Sequence, residues 1–152
     1  MPHRILLVDT DKIWLDSLRV SLEHVGDVEV CEDFPSARTR LIASPPDFLV
    51  TNVRLGAYNG LHLVMLVASA NLPTRCLTYG EHGNRTDMAL AREAQRAGTF
   101  YEPSYRIAHA LPAYLRSALP PRDRRQLARD DRRVTFRGGR RVTDSDQLRR
   151  SM

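Results

Sequence analysis

The sequence predicts an α/β fold, a doubly wound five-stranded parallel sheet of order 2-1-3-4-5 over residues 1–119, followed by an arginine-rich, mostly disordered tail over 120–152. Three observations predict it. Short, β-branched apolar runs alternate with longer segments of helical period, and parallel strands need such crossover connections. The 152 residues, 42% apolar and 27% charged, suit one core-forming domain with an extension rather than two ordinary domains. The charge divides at the same boundary: residues 1–119 carry 12 basic and 13 acidic side chains, near −1, while residues 120–152 carry 11 and 5, or +6.

The first strand is Ile5-Leu6-Leu7-Val8, and the helix after it places Leu15, Leu18, Leu22 and Val25 on one face before Gly26 ends it. Val28 to Cys31 forms the second strand. A short helix from Ser36 to Ile42 turns Ala37 and Leu41 inward, and the Ser-Pro-Pro of 44–46 stops it. Phe48 to Thr51 is the third strand. A polar turn ending in Asn59-Gly60 leads into an apolar helix from Leu61 to Ala70. Cys76 to Thr78 is the fourth strand, Thr86 to Ala97 an alanine-rich helix capped by Gly98, and Phe100-Tyr101 the fifth strand. The last helix, Ser104 to Leu119, keeps its period through Ile107, Leu111 and Leu115, with Pro112 expected to kink or restart it. In this order the ligand crevice lies beyond the carboxyl ends of strands 1 and 3, at Val8-Asp9-Thr10-Asp11 and Val50-Thr51-Asn52-Val53.

Several function classes are excluded or disfavoured. Cys31 and Cys76 make neither a disulfide framework nor a zinc site and read as small buried apolar residues. The five histidines contain no i, i+4 pair. No apolar stretch reaches 18 residues and the N-terminal run Ile5 to Val8 lacks a signal peptide's length, so the expectation is a cytoplasmic protein with no membrane segment.

The pieces around the crevice, taken together, resemble a known family. They are Leu6-Leu7-Val8-Asp9, Pro46-Asp47-Phe48-Leu49-Val50, Asn59-Gly60-Leu61, Leu77-Thr78, Ala97-Gly98 and Pro103, in order across residues 4–118. The chain resembles the receiver domain of two-component response regulators. That resemblance implies a phosphoacceptor aspartate at the end of strand 3, a divalent cation held by an acidic pair after strand 1, and a lysine before the proline that follows strand 5. The chemistry is positioning and charge neutralisation around a phosphoryl group.

Measured against that pattern, the site is degenerate. Asn52 stands at the acceptor position, and a neutral carboxamide is a poor nucleophile. Thr10 replaces the second acid of the pair, with Asp11 one residue further on, leaving at most a weak Mg²⁺ site at Asp9 and Asp11. Glu102 falls on the lysine position, and the stretch from Gly98 to Pro103 is about three residues shorter than the family pattern. Tyr79 stands where receivers usually keep a small residue, and Thr78 is the remaining phosphate-sensing hydroxyl. Simpler roles compete: Asp9 and Asp11 as carboxylates at the start of the first helix, Asn52 as a turn residue, Thr78 as a strand residue, Tyr79 as a filler of the vacated pocket, Trp14 as packing.

In the tail, Arg132-Arg133-Val134-Thr135 recurs eight residues later as Arg140-Arg141-Val142-Thr143, around Phe136-Arg137-Gly138-Gly139. These runs suit a small hairpin or addition to a partner's sheet edge. Arg133, Phe136, Arg137, Arg140 and Arg141 equally suit a polyanion, guanidinium groups pairing with phosphates and the ring stacking on a base. The leading expectation is a non-enzymatic, phosphorylation-independent pseudo-receiver that needs no cofactor and docks signalling proteins. By resemblance, its homodimer face is helix 4, strand 5 and helix 5, over Met88 to Ala97 and Tyr105 to Leu115. The alternatives are a nucleic-acid-binding adaptor acting through the tail and an active receiver using Asp9 or Asp11.

Overall fold

The structure, a computed structural model, describes residues 2–81 and 85–116. The tail of 120–152, with its candidate contacts Arg133, Phe136, Arg137, Arg140 and Arg141, lies outside the described residues, as does the end of the last predicted helix. Strands β1 (His3–Val8), β2 (Gly26–Cys31), β3 (Phe48–Asn52), β4 (Arg75–Gly80) and β5 (Phe100–Pro103) form one sheet in the order β2-β1-β3-β4-β5. All four pairings are parallel, so the predicted doubly wound order is the observed one.

Helices α1 (Lys12–Leu22), α2 (Phe34–Ala43), α3 (Leu61–Ser69), α4 (Arg85–Arg96) and α5 (Ile107–Arg116) connect and follow the strands. Strand alternation sorts them into two layers. Ile5, Leu7, Phe48, Val50, Leu77 and Tyr79 pack with the buried faces of α1 and α5. Leu6, Val8, Leu49 and Cys76 pack on the opposite side with α2, α3 and Ala94 of α4. Burying a side chain such as Leu7 or Leu49 contributes about 1.5–3 kcal/mol, so these two apolar faces anchor the strand ends that shape the crevice.

Three local features differ from the sequence reading. Gly26 does not cap the first helix; it opens β2, where a Cβ would stand 2.5 Å from the His3 carbonyl oxygen of the adjacent strand. The turn before α3 contains a two-stranded antiparallel ribbon, Arg54–Leu55 against Tyr58–Asn59, with Gly56 at a φ of +64° in its loop. Two-residue strands leave no periodic signal. The last helix opens with a 3₁₀ turn at Ser104–Arg106 and then runs as one element across Pro112.

Both cysteines are free and buried, Cys31 on β2 and Cys76 on β4, with β1 and β3 between them. Burial pushes the Cys31 thiol above its ordinary value, against the opposing pull of the Arg40 guanidinium.

Candidate functional site

The crevice is assembled from the ends of three adjacent strands. Asp9 follows β1 and is only 4% exposed, Asn52 ends β3, and Tyr79 on β4 is in register with Asn52. Gly60 lets the start of α3 close over this point, since a Cβ there would stand 2.0 Å from the Asn52 carbonyl oxygen.

Three donors from the chain itself meet the Asp9 carboxylate. The Tyr79 hydroxyl donates to Oδ2 at 2.6 Å and the Asn52 Nδ2 amide donates to the same oxygen at 3.1 Å. The Asp11 backbone N–H donates to Oδ1 at 3.0 Å. A buried carboxylate is costly unless its lone pairs are satisfied, and three donors do so here. The Asn52 amide is oriented from its other end, where Oδ1 accepts from the Arg54 backbone N–H at 3.0 Å. Trp14 continues the chain outward, its Nε1–H donating to the Tyr79 oxygen at 3.1 Å. Burial, then the Asp9 charge, holds the Tyr79 hydroxyl far above the ordinary tyrosine range, so it remains a proton donor.

The remaining sequence candidates are placed around this cluster or away from it. Asp11 caps α1, its Oδ1 accepting from the Trp14 backbone N–H at 3.1 Å, and Thr10 is exposed. The Thr78 hydroxyl turns to β5 and donates to the Phe100 carbonyl oxygen at 3.1 Å, so it is Tyr79, one residue on, that reaches Asp9. Glu102 lies in register beside Tyr79 and is held by α5: the Tyr114 hydroxyl donates to its Oε1 at 3.0 Å and Arg106 Nε stands 4.0 Å from its Oε2. Sequence reasoning saw Tyr79 as volume and Trp14 as packing; it missed that both are donors in one relay.

A divalent cation does not fit this arrangement. Asp9 Oδ2 already accepts from the Tyr79 hydroxyl and the Asn52 amide, and Asn52 and Tyr79 present donors where a hard cation requires several oxygen ligands. Among the described residues no group of three or more His, Cys, Asp or Glu side chains is placed to hold a metal ion.

Neither a family model nor a curated protein sequence matches the chain. Solved structures do. The response regulator receiver domain protein (CheY-like) from Methanospirillum hungatei superposes with a TM-score of 0.64 at 16% identity, covering 76% of this chain and 94% of the other. A response regulator receiver domain protein from Clostridium thermocellum reaches 0.66 at 16% identity over 74% of this chain and 90% of the other. The chain has the receiver-domain fold. The response regulator domain of Thermotoga maritima CheB is similar as well, with a TM-score of 0.61 at 20% identity over 76% and 95% of the two chains. Within the receiver fold, the crevice at the ends of β1 and β3 is therefore the position of Asp9 and Asn52, and here it is closed by hydrogen bonds internal to the chain. No helix among the described residues is long and apolar enough to cross a membrane.

Proposed function

We propose that this chain is a cytoplasmic pseudo-receiver, a signal-transduction module that docks other proteins independently of phosphorylation and catalyses no reaction. The observation that carries this reading is the polarity of the crevice: Asn52 and Tyr79 both present donors to Asp9. A phosphoacceptor site needs the opposite, a nucleophilic carboxylate and cations to offset the phosphoryl oxygens. Glu102 on β5 adds a negative charge beside Tyr79 instead of a lysine. Asn52 is in this reading a vacated phosphoacceptor position, and Asp9, Thr10, Asp11, Thr78 and Glu102 the remnants of the pocket. Docking through α4, β5 and α5, including self-association, is part of the proposal; Met88 on α4 is 47% exposed and Tyr105, in the 3₁₀ turn between β5 and α5, 72%.

The test is exposure of the full chain to acetyl phosphate and Mg²⁺ followed by intact mass. The expected mass is unchanged; a gain of one phosphate, abolished by Asp9→Ala, overturns the reading in favour of an active receiver.

The charge of the tail favours a second reading, a nucleic-acid-binding adaptor, because 120–152 carries 11 basic and 5 acidic residues. Retention of the full chain on nucleic acid, falling steeply with salt and lost in a 1–119 truncation, supports it. Phe136→Ala weakening a captured protein more than any single change at Arg133, Arg137, Arg140 or Arg141 favours protein docking by the tail instead.

A further inference from the structure

The side of the sheet covered by α2 and α3 carries a surface that the crevice does not explain. Phe34, at the start of α2, stacks face to face with Tyr58 of the ribbon, ring centroids 4.8 Å apart and planes within 7°. His62 of α3 meets the same Phe34 ring edge-on at 6.3 Å. From this aromatic corner a groove of ≈ 530 Å³ runs along α2 past Arg38, Thr39 and Ile42. Phe34, Arg38 and Ile42 are spaced by four, so the groove follows one helical face for two turns. Two of its lining residues are apolar and open to solvent: Ile42 is 56% exposed and Tyr58 49%.

Among the described residues that line the groove the one charged side chain is Arg38. Residues 34–46 and 53–73 contain Arg38, Arg40 and Arg54 and no aspartate or glutamate. Of the acids flanking these segments, Asp33 accepts from the Ser36 backbone N–H as the cap of α2, Asp47 accepts from the Arg4 backbone N–H, and exposed Glu32 is not among the groove's lining residues; Arg40 is ion-paired with Glu29, which leaves Arg38 as the cation of the groove. Arg38 is exposed on the groove itself. An apolar groove two helical turns long with a cation along it and no carboxylate complements a helix that has apolar residues on one face and acids beside them. One ring face of Tyr58 is already occupied by Phe34, and the aliphatic side chains of Ile42 and Ala43 offer no hydrogen-bond partner to a nucleobase edge, so a protein helix suits this surface better than a nucleic acid.

We propose that the α2 groove docks an acidic amphipathic helix of a partner protein. The inference rests on the interaction-module reading and deepens it, placing a docking site on the face opposite α1 and α5. The basic tail also attracts acids, so the test needs signals from the groove. The full-length chain is titrated with three synthetic helical peptides: one with leucines at i, i+4 and i+8 flanked by glutamates, the same peptide with lysines for the glutamates, and the acidic peptide with serines for the leucines. NMR signals of the Ile42 methyls and the Tyr58 ring report the groove.

The expected result is that only the acidic, leucine-bearing peptide shifts these signals, that Arg38→Glu and Tyr58→Ala each weaken its binding roughly tenfold or more with unchanged circular dichroism, and that Met88→Ser leaves it unaltered. Equal shifts from the serine or lysine peptide overturn the proposal. So do shifts at Met88 and Tyr105 in place of Ile42 and Tyr58, shifts at the groove on raising protein concentration alone, or the same shifts produced by a single-stranded oligonucleotide. Failure of the peptide alone removes the groove as a docking site and leaves the module reading standing, whereas uptake of phosphate from acetyl phosphate removes the module reading whether or not the peptide binds.

Discussion

The Tyr79 hydroxyl and the Asp9 carboxylate, 70 residues apart in sequence, meet at 2.6 Å, Tyr79 near the end of β4 and Asp9 just after β1. The tyrosine ring is 1% exposed, and its oxygen simultaneously accepts from Trp14, so one side chain joins the buried carboxylate to the first helix. The crevice expected beyond the ends of β1 and β3 is thereby filled as a piece of core with a satisfied charge inside it.

Replacing Tyr79 by phenylalanine should lower stability by about 1–3 kcal/mol, because Asp9 loses a donor and the Trp14 N–H loses its acceptor while the ring packing is kept. The urea midpoint is expected to fall with an unchanged slope. A double-mutant cycle with Asp9→Asn should show clear coupling; additive losses would place the stabilisation in the ring alone.

Alkaline stability follows from the same hydroxyl. Its value in the folded chain is raised, chiefly by burial and then by the Asp9 charge, above the ordinary 10.0. The folded state therefore keeps a proton that the unfolded chain gives up, so the contribution is complete below pH 10 and is lost as the pH rises beyond it, at up to about 1.4 kcal/mol per pH unit. Stability of the native chain should decline more steeply above pH 10 than that of Tyr79→Phe. Equal slopes in the two proteins would refute the assignment.

Asn52→Asp should destabilise the chain at neutral pH, since the donor 3.1 Å from Asp9 becomes a second carboxylate. Like charges at that distance raise the affinity of the pair for one proton, so the loss is expected to shrink as the pH falls and one carboxyl is protonated. Mg²⁺ should restore part of the melting temperature by bridging the pair, and acetyl phosphate should still add no mass, because Tyr79 and Glu102 are unchanged. A variant as stable as the parent at pH 7 without Mg²⁺ contradicts the hydrogen-bond pattern described above.

Gly60→Ala tests how tightly the crevice is closed from α3. The new methyl would clash with the backbone oxygen of Asn52 at 2.0 Å, and backbone cannot move aside as a flexible side chain can. The expected outcome is a fall in melting temperature with changed NMR signals at Asn52 and Asp9. Unchanged signals there would show that the turn yields elsewhere.

The sheet was legible because each strand is a short β-branched run between helical periods, and because Leu15, Leu18 and Leu22 or Ile107, Leu111 and Leu115 repeat at helical spacing. The crevice was legible as a location, since Asp9 and Asn52 end two apolar strands. What escaped was one residue of phase on β4: periodicity identifies the strand, but only the register with β3 shows that Tyr79 and not Thr78 faces Asn52. The ribbon at 54–59 escaped because its strands are too short to alternate. Gly26 reads as a helix terminator from the sequence because a glycine suits either role, and only the distance to His3 separates them. The bond from Trp14 to Tyr79 joins residues 65 apart and has no local signature.

That indole N–H gives the chain a built-in optical reporter. Trp14 is the single tryptophan in the sequence, and its emission depends on the polarity and hydrogen bonding around its ring. Its ring centroid lies 6.2 Å from that of Tyr79, close to the buried carboxylate. A ligand, substitution or partner that pulls Tyr79 off Asp9 therefore also frees the indole to meet water, and unlabelled protein in a fluorimeter displays the opening of the crevice as a colour shift of one residue.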